Sequence, residues 1–210
     1  MDHIELLTVR YENLKDIENE VRNVTDILIK AFENGNKLLI CGNGGSCADA
    51  AHIAGELMKG FLKKRPLSDE EKESLKEKSP SLSFDTLNKL QKGLPTVVLS
   101  DLNALNTAFS NDVDPNLIYA QQLFGLGKAG DVLLGISTSG NAKNVAETVR
   151  LAKAMGITAI GLTGGTGGLL KELCDSCIIV PEKETFKVQE LHLPVYHAIC
   201  AECEEHFFKV

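Results

Sequence analysis

Apolar residues recur at three- and four-residue intervals near the start of the chain: Ile4, Leu7, Tyr11, Leu14, Ile17, Val21, Val24, Leu28 and Ala31. That period predicts a long amphipathic helix from Ile4 to Phe32. The pattern then changes to short apolar runs, at Lys37 to Ile40, Leu94 to Leu99, Val132 to Ile136, Thr158 to Leu162 and Cys177 to Val180. Each reads as a strand. Helical patterns separate them: one after the first run, one from Ala142 to about Met155 with Val145, Val149 and Ala152 inward, a short one after Gly168, and a last from about Thr185 to Phe208. Strands alternating with helices predict an α/β fold with a five-stranded parallel sheet, covered by helices on both faces in a flavodoxin-like, three-layer arrangement.

Two segments stand apart from that alternation. From Phe61 to Lys92 the composition turns charged, with Lys63-Lys64-Arg65, a capped helix start at Ser68-Asp69-Glu70-Glu71, and a second short helix after Ser79-Pro80-Ser81. This predicts a helical hairpin inserted at 61–92, its charges most simply a solvated face, with the basic residues also within possible reach of an anionic substrate. The first 35 residues are the other. A helix of some eight turns ahead of the core is long enough to pack on a partner subunit as well as on its own sheet, so 1–35 reads as an oligomerisation helix, with covering of its own sheet alone as the simpler alternative.

At 210 residues and 43% hydrophobic content the chain fits a single globular domain, 1–210. A formal charge of −7 argues against a nucleic-acid partner, so any anionic ligand must be held by local geometry. No apolar run approaches the roughly 20 residues of a membrane span, and the acidic opening Met1-Asp2-His3-Ile4-Glu5 is unlike an export signal, which predicts a cytoplasmic protein with no membrane partner. In that reducing setting the six cysteines read as free thiols. Cys174/Cys177 and Cys200/Cys203 form two CxxC pairs, but one runs into a strand pattern and the other lies inside a helix, where a zinc knuckle does not form.

The candidate chemistry begins after the first strand. Cys41-Gly42-Asn43-Gly44-Gly45-Ser46 leads from a strand into a helix, and such a glycine turn presents backbone N–H groups and the positive end of the helix dipole to an anion. His52 and Glu56, four residues apart, share one face of that helix. A second polar turn, Ser137-Thr138-Ser139-Gly140-Asn141, follows the third strand and offers hydroxyls, an amide and backbone donors; a serine- and threonine-rich helix cap is its plainer reading. In an open parallel sheet both turns emerge at the carboxyl edge, where they would face each other across the reversal of winding. A dinucleotide site does not fit, since the third glycine is misplaced and the second strand lacks a terminal acid for a ribose. A P-loop lacks its Gly-Lys-Ser/Thr.

Together, Cys41-Gly-Asn-Gly-Gly-Ser46, Asp49-Ala-x-His52-x-x-x-Glu56, Gly135-Ile-Ser-Thr-Ser-Gly-Asn141 and Gln189-Glu-x-His192-x-x-x-x-His197 resemble the sugar isomerase (SIS) domain family, and within it the phosphoheptose isomerases. The resemblance runs from the first helix to the last, leaving out the hairpin. It implies an aldose–ketose isomerase converting sedoheptulose 7-phosphate to D-glycero-D-manno-heptose 7-phosphate, assembled as a homotetramer. It implies substrate contacts from Asn43, Gly44, Gly45, Ser46, Asp101, Ser137, Thr138, Ser139, Asn141 and Gln189. It also implies one zinc ion per subunit on His52, Glu56, Gln189 and His197, with Glu56 and His197 as the catalytic acid–base pair. Such an open donor set suits an exchangeable metal, and the isomerisation needs a base beside a carbonyl and an acid or metal on its oxygen. The chain departs from the family at Cys47, Ala48, Ala142 and Phe186, and Pro194 interrupts the last helix between Gln189 and His197. The alternative class is a non-catalytic SIS protein that binds a phosphosugar or a protein partner such as a replication initiator; retention of the His/Glu/Gln/His set favours the enzyme.

Overall fold

The computed structural model describes residues 2–208. Its elements in chain order are α1 (His3–Arg10), a 3-10 helix (Glu12–Ile17), α2 (Glu18–Glu33), β1 (Leu38–Gly42), α3 (Gly45–Met58), α4 (Asp69–Lys78), α5 (Phe84–Lys89), β2 (Thr96–Val98), α6 (Asn103–Asp112), a 3-10 turn (Pro115–Leu117), α7 (Ile118–Leu126), β3 (Val132–Ile136), α8 (Lys143–Ala154), β4 (Thr158–Gly164), α9 (Gly168–Leu173), β5 (Ser176–Val180) and α10 (Thr185–Phe207). The strands form one parallel sheet in the order β2-β1-β3-β4-β5. Winding reverses between β1 and β3, which are paired from Leu38↔Val132 to Gly42↔Ile136, so the turns that follow them leave the sheet side by side. No helix among the described residues is long and apolar enough to cross a membrane.

Alternate residues of each strand feed two cores. Leu38, Ile40, Leu134, Ile136, Ile160 and Leu162 pack under α1, α2, α3 and α10. Leu39, Cys41, Leu133 and Ala159 face Tyr119 and Leu123 of α7, Val145 and Val149 of α8, and Leu170 of α9. Both faces being covered explains why the strands read as continuous apolar runs.

The first helix is where the structure corrects the sequence reading. Instead of one helix from Ile4 to Phe32, the segment breaks at Tyr11 (φ −128°, ψ 81°) and continues as a 3-10 helix before α2. Tyr11, Leu14 and Ile17 follow one another at two successive three-residue steps, the only such pair in the stripe. A straight α-helix would swing these residues off the buried face, whereas the three-residue period of a 3-10 helix keeps them aligned. Asp2 caps α1, accepting from the N–H groups of Ile4 and Glu5, and its carboxylate also meets Arg22 of α2 at 2.9 Å, which folds the two pieces together. Ile4, Leu7, Leu14, Val21, Val24 and Leu28 are all buried in this chain's own core.

The insertion forms the expected pair of short helices, α4 opening on a Ser68/Glu71 capping box. Its basic start is only partly a solvated face, with Lys64 exposed but Arg65 buried. Arg65 is turned fully inward, with its Nε on Glu204 Oε1 at 2.7 Å, Nη1 on the Leu57 carbonyl at 2.7 Å and Nη2 on the Glu56 carbonyl at 3.1 Å, its guanidinium stacked 4.5 Å from the Phe208 ring centroid. It thereby caps the carbonyl end of α3. Glu204 of α10 also accepts from the backbone N–H groups of Phe61, Leu62 and Lys63. Lys63 is committed to Glu205 at 2.8 Å. α10 itself runs unbroken through Pro194.

Burial pushes the Glu204 carboxyl up, but the N–H donors of Phe61 and Leu62 together with Arg65 outweigh it and hold the group below its ordinary range. Removing the carboxylate strands a buried guanidinium and three N–H groups, so Glu204→Ala should cost ~3–5 kcal/mol at pH 7, read as a lowered urea midpoint with unchanged slope. A group with a depressed folded pKa contributes stability that is present above its unfolded value of about 4.3 and lost as pH falls through the folded one, so the gap between parent and variant should close on acidification below that window. A midpoint unchanged at pH 7 would contradict the role given to this pair.

Candidate functional site

Three helices open on one cleft. α3, α8 and α10 begin at Gly45, Lys143 and Thr185, and none has a side-chain cap from the residue before it. The start of α3 (Gly45, Ser46), the residue before α8 (Ala142) and Thr185 and Gln189 of α10 line a cavity of about 360 Å³ together with Asn43, Gly44, Ser137, Thr138 and Ser139. Helix N-termini carry the positive dipole end, so their convergence is an anion cradle without any lysine or arginine in its lining, even though the Ser46 and Cys47 N–H groups of α3 already bond the Asn43 and Gly44 carbonyls at 3.0 Å. Gly44 (φ +55°) makes the turn into α3 in a conformation that L side chains rarely adopt. A methyl placed on Gly45 would overlap the Gln189 side-chain amide, so the amide packs directly on this glycine.

The two turns are tied to each other. Asn43 and Asn144 exchange amide hydrogen bonds, each at 2.9 Å, and the Tyr119 hydroxyl donates to the Gly42 carbonyl at 2.7 Å and to Asn43 Oδ1 at 3.0 Å. The turn after β3 is clamped from its other side, where a methyl on Gly140 would overlap the Gly167 carbonyl. Asn141 serves this clamp: its side chain bonds the Ser139 carbonyl at 2.9 Å and the Leu169 N–H at 3.1 Å. Asn141 and Asp101 do not line the cleft, and Asp101 is exposed in the loop after β2.

A second constellation lies farther along the same two helices. His52 and Glu56 are about 10 and 16 Å from Gly45 at 1.5 Å per residue, and His197 is about 12 Å from Gln189. His52 Nε2 stands 3.2 Å from Glu56 Oε1 and 3.4 Å from His197 Nε2, with the two imidazoles edge to face. On its other side His52 Nδ1 meets the Tyr196 hydroxyl at 2.9 Å, and that hydroxyl reaches Asp49 Oδ1 at 3.4 Å. Burial, and then the charge of His52, lower the pKa of His197, against an opposing pull from Glu56. Burial raises that of Asp49. His197 also borders a larger, mainly apolar cavity of about 520 Å³ between α1, Phe61 and α10, which holds none of the anion-binding turns.

A tetrahedral ion with ligand bonds of about 2.0–2.1 Å sets its ligand atoms about 3.3–3.4 Å apart. The two separations at His52 Nε2 match such edges, so the donors fit a metal in kind and by pairs. They do not close as a set: among the described residues no group of three His, Cys, Asp or Glu side chains is arranged to hold an ion, and Gln189 lies at the cleft against Gly45 rather than beside His52. All six cysteines are free thiols. Of the remaining histidines, His206 pairs with Glu33 at 2.8 Å, while His192 is fully buried with both ring nitrogens unpartnered and its pKa lowered to about 4 by burial.

Two parts of the site were not read from the sequence. Thr185 lines the cleft because α10 begins there, a signal available in the predicted helix start but not connected to the anion turns. Tyr196 joins Asp49 and His52 only through tertiary contact between α10 and α3.

A sequence model of the SIS domain matches residues 4–90 and 85–164. The chain is similar to the phosphoheptose isomerase of Aneurinibacillus thermoaerophilus, at 40% identity over 90% of this chain and 82% of that protein, and to that of Nitratiruptor sp., at 36% identity over 99% and 100%. Its fold is similar to the solved phosphoheptose isomerase of Neisseria gonorrhoeae, with a TM-score of 0.75 and 30% identity covering 96% of this chain and 94% of that one. The solved phosphoheptose isomerase of Francisella tularensis gives a TM-score of 0.77 at 28% identity, covering 93% and 91%.

Proposed function

This chain belongs to the SIS domain family, among its phosphoheptose isomerases, and from that premise we infer that it interconverts sedoheptulose 7-phosphate and D-glycero-D-manno-heptose 7-phosphate. It is an aldose–ketose isomerase. The observation that carries the reading into this chain's own residues is the two-ended site: an anion cradle at three helix N-termini, and an imidazole–carboxylate group about 10–16 Å along α3 and α10. A phosphate seated at Ser46, Ser137, Thr138 and Ser139 would direct an extended seven-carbon chain toward Glu56 and His197.

In the mechanism, Glu56 takes a proton from the carbon beside the carbonyl while His197 gives one to the carbonyl oxygen. The resulting enediol returns by the reverse transfers, with the proton delivered to the neighbouring carbon. The Glu56 side chain is largely buried beside His52, which limits the bulk water that competes for that proton. Gln189, standing at the cleft, would hold hydroxyls of the bound chain. The family resemblance implies a zinc ion on His52, Glu56, Gln189 and His197, but with Gln189 at the cleft these residues do not close as a ligand set here, and no step is assigned to a metal. Exposed Leu6 and Val9 of α1 and Leu193 of α10 support assembly through the N-terminal helices, and we read the chain as a homotetramer of the cytoplasm.

Glu56→Gln keeps the size of the side chain and removes the base, and His197→Asn removes the imidazole; each should lower kcat by ~10²–10⁴-fold while sugar-phosphate binding by calorimetry persists. Parental turnover in both variants would place the chemistry elsewhere. Sedimentation and metal analysis of the purified protein check the rest: a tetramer with one zinc per subunit is expected, whereas a monomer at micromolar concentration, or a metal-free protein with full activity, would remove the corresponding part.

A further inference from the structure

The three helices that open on the cleft differ in how many donors they have left to give, since the first N–H groups of a helix find no acceptor inside it. α3 has spent most of its own: besides those of Ser46 and Cys47, the Ala48 N–H bonds the Gly44 carbonyl at 3.2 Å. In α8 the Val145 N–H is held by the Asn144 side chain at 3.0 Å, and Ala142 brings only a methyl to the lining. α10 is different. Its first committed N–H is that of Val188, on the Glu184 carbonyl at 2.9 Å, so those of Thr185, Phe186 and Lys187 have no acceptor among the described residues. The Glu184 carboxylate just before them is spent on Lys187.

Thr185 adds a side chain to that turn. It lines the cleft together with Ser137, Thr138 and Ser139, it is exposed, and its hydroxyl has no partner among the described residues. Ser46 and Ser137 share the lining at 3% and 6% exposure, and their hydroxyls too are without a partner among the described residues. Polar groups at that depth are ordinarily hydrogen-bonded, so these hydroxyls are placed for a ligand. With no lysine or arginine in the lining, the ligand's charge has to be met by N–H and O–H donors, and the terminal oxygens of a phosphate accept several at once.

We propose that the first turn of α10 anchors the phosphate, with Thr185 as a substrate-binding residue: its hydroxyl and the free N–H groups of the turn hold the terminal oxygens from one side, and Ser137, Thr138 and Ser139 hold them from the other. The glycine turn before α3 then contributes its dipole and the Ser46 hydroxyl more than backbone donors. Thr185 in consequence helps to distinguish a phosphorylated sugar from a free one. The inference rests on the isomerase reading for the identity of that sugar; the phosphate contact itself does not.

The test is titration with inorganic phosphate, followed by ³¹P NMR, of the parent and three variants at this exposed position, with Tm recorded for each. Thr185→Val keeps the shape and removes the hydroxyl; it should weaken phosphate binding ~10-fold and raise KM for the sugar phosphate by a similar factor, the loss falling on KM rather than kcat. Thr185→Ser keeps the hydroxyl and should stay near the parent. Thr185→Asp sets a carboxylate among the free N–H groups and should abolish phosphate binding without lowering Tm, because an acid in the first turn favours the helix. A Thr185→Val protein with parental phosphate affinity, or a parent that binds no phosphate, would overturn the proposal, while turnover of sugar phosphate by that parent would leave the isomerase reading standing. A parent that turns over no sugar phosphate, yet loses phosphate affinity in Thr185→Val, keeps the proposal and removes the reading.

Discussion

The buried carboxylate of Glu204 fixes where the last helix lies. It is met by three successive backbone N–H groups and by the Arg65 guanidinium, which in turn caps the carbonyls of Glu56 and Leu57 at the end of α3. An unpaired charge at that depth is costly, so the pair can be satisfied only in one register of α10 against α3. Every contact of the site inherits that register. At one end Gln189 reaches Gly45; in the middle Tyr196 and His197 reach His52; at the far end Arg65 holds the backbone of Glu56, the residue proposed to move the proton. The inserted hairpin thus begins with a structural clasp, and its helices extend from it.

The same two helices set the length of the substrate. Their N-termini provide the positive potential that a chain of net charge −7 lacks overall, and they provide it from backbone dipoles, which leave the cleft free of cationic side chains. The acid–base groups Glu56 and His197 sit about three turns farther on, where the side chains of both helices face each other. A phosphate is therefore held well away from the carbons that react, and binding energy at one end positions chemistry at the other.

The fold was legible because its signals are local. Five apolar runs alternating with helical periods point to a parallel sheet with helices on both faces, and the two glycine- and serine-rich turns fall at its carboxyl edge on sequence grounds alone. Tyr11, Leu14 and Ile17 misled the reading of the first helix because a three-residue step is compatible with either helical period over a short stretch. Arg65 was misread for a deeper reason: a Lys-Lys-Arg run looks solvated, and nothing nearby in sequence announces a glutamate 139 residues away as its partner. Likewise the His52/Glu56 spacing exposed one face of α3, while the contact of Tyr196 with His52 and Asp49 depends on two helices meeting. Asn141 carried the chemistry of a ligand residue but is occupied in clamping the α9 turn.

The central claim is that this chain moves a proton between adjacent carbons of a heptose phosphate. Incubating the purified protein with sedoheptulose 7-phosphate in D₂O and following the sugar by ¹H NMR tests it directly. The account predicts the appearance of the aldose D-glycero-D-manno-heptose 7-phosphate, with solvent deuterium entering at the carbon next to its carbonyl. A ketose that binds but neither converts nor exchanges its proton would contradict the account.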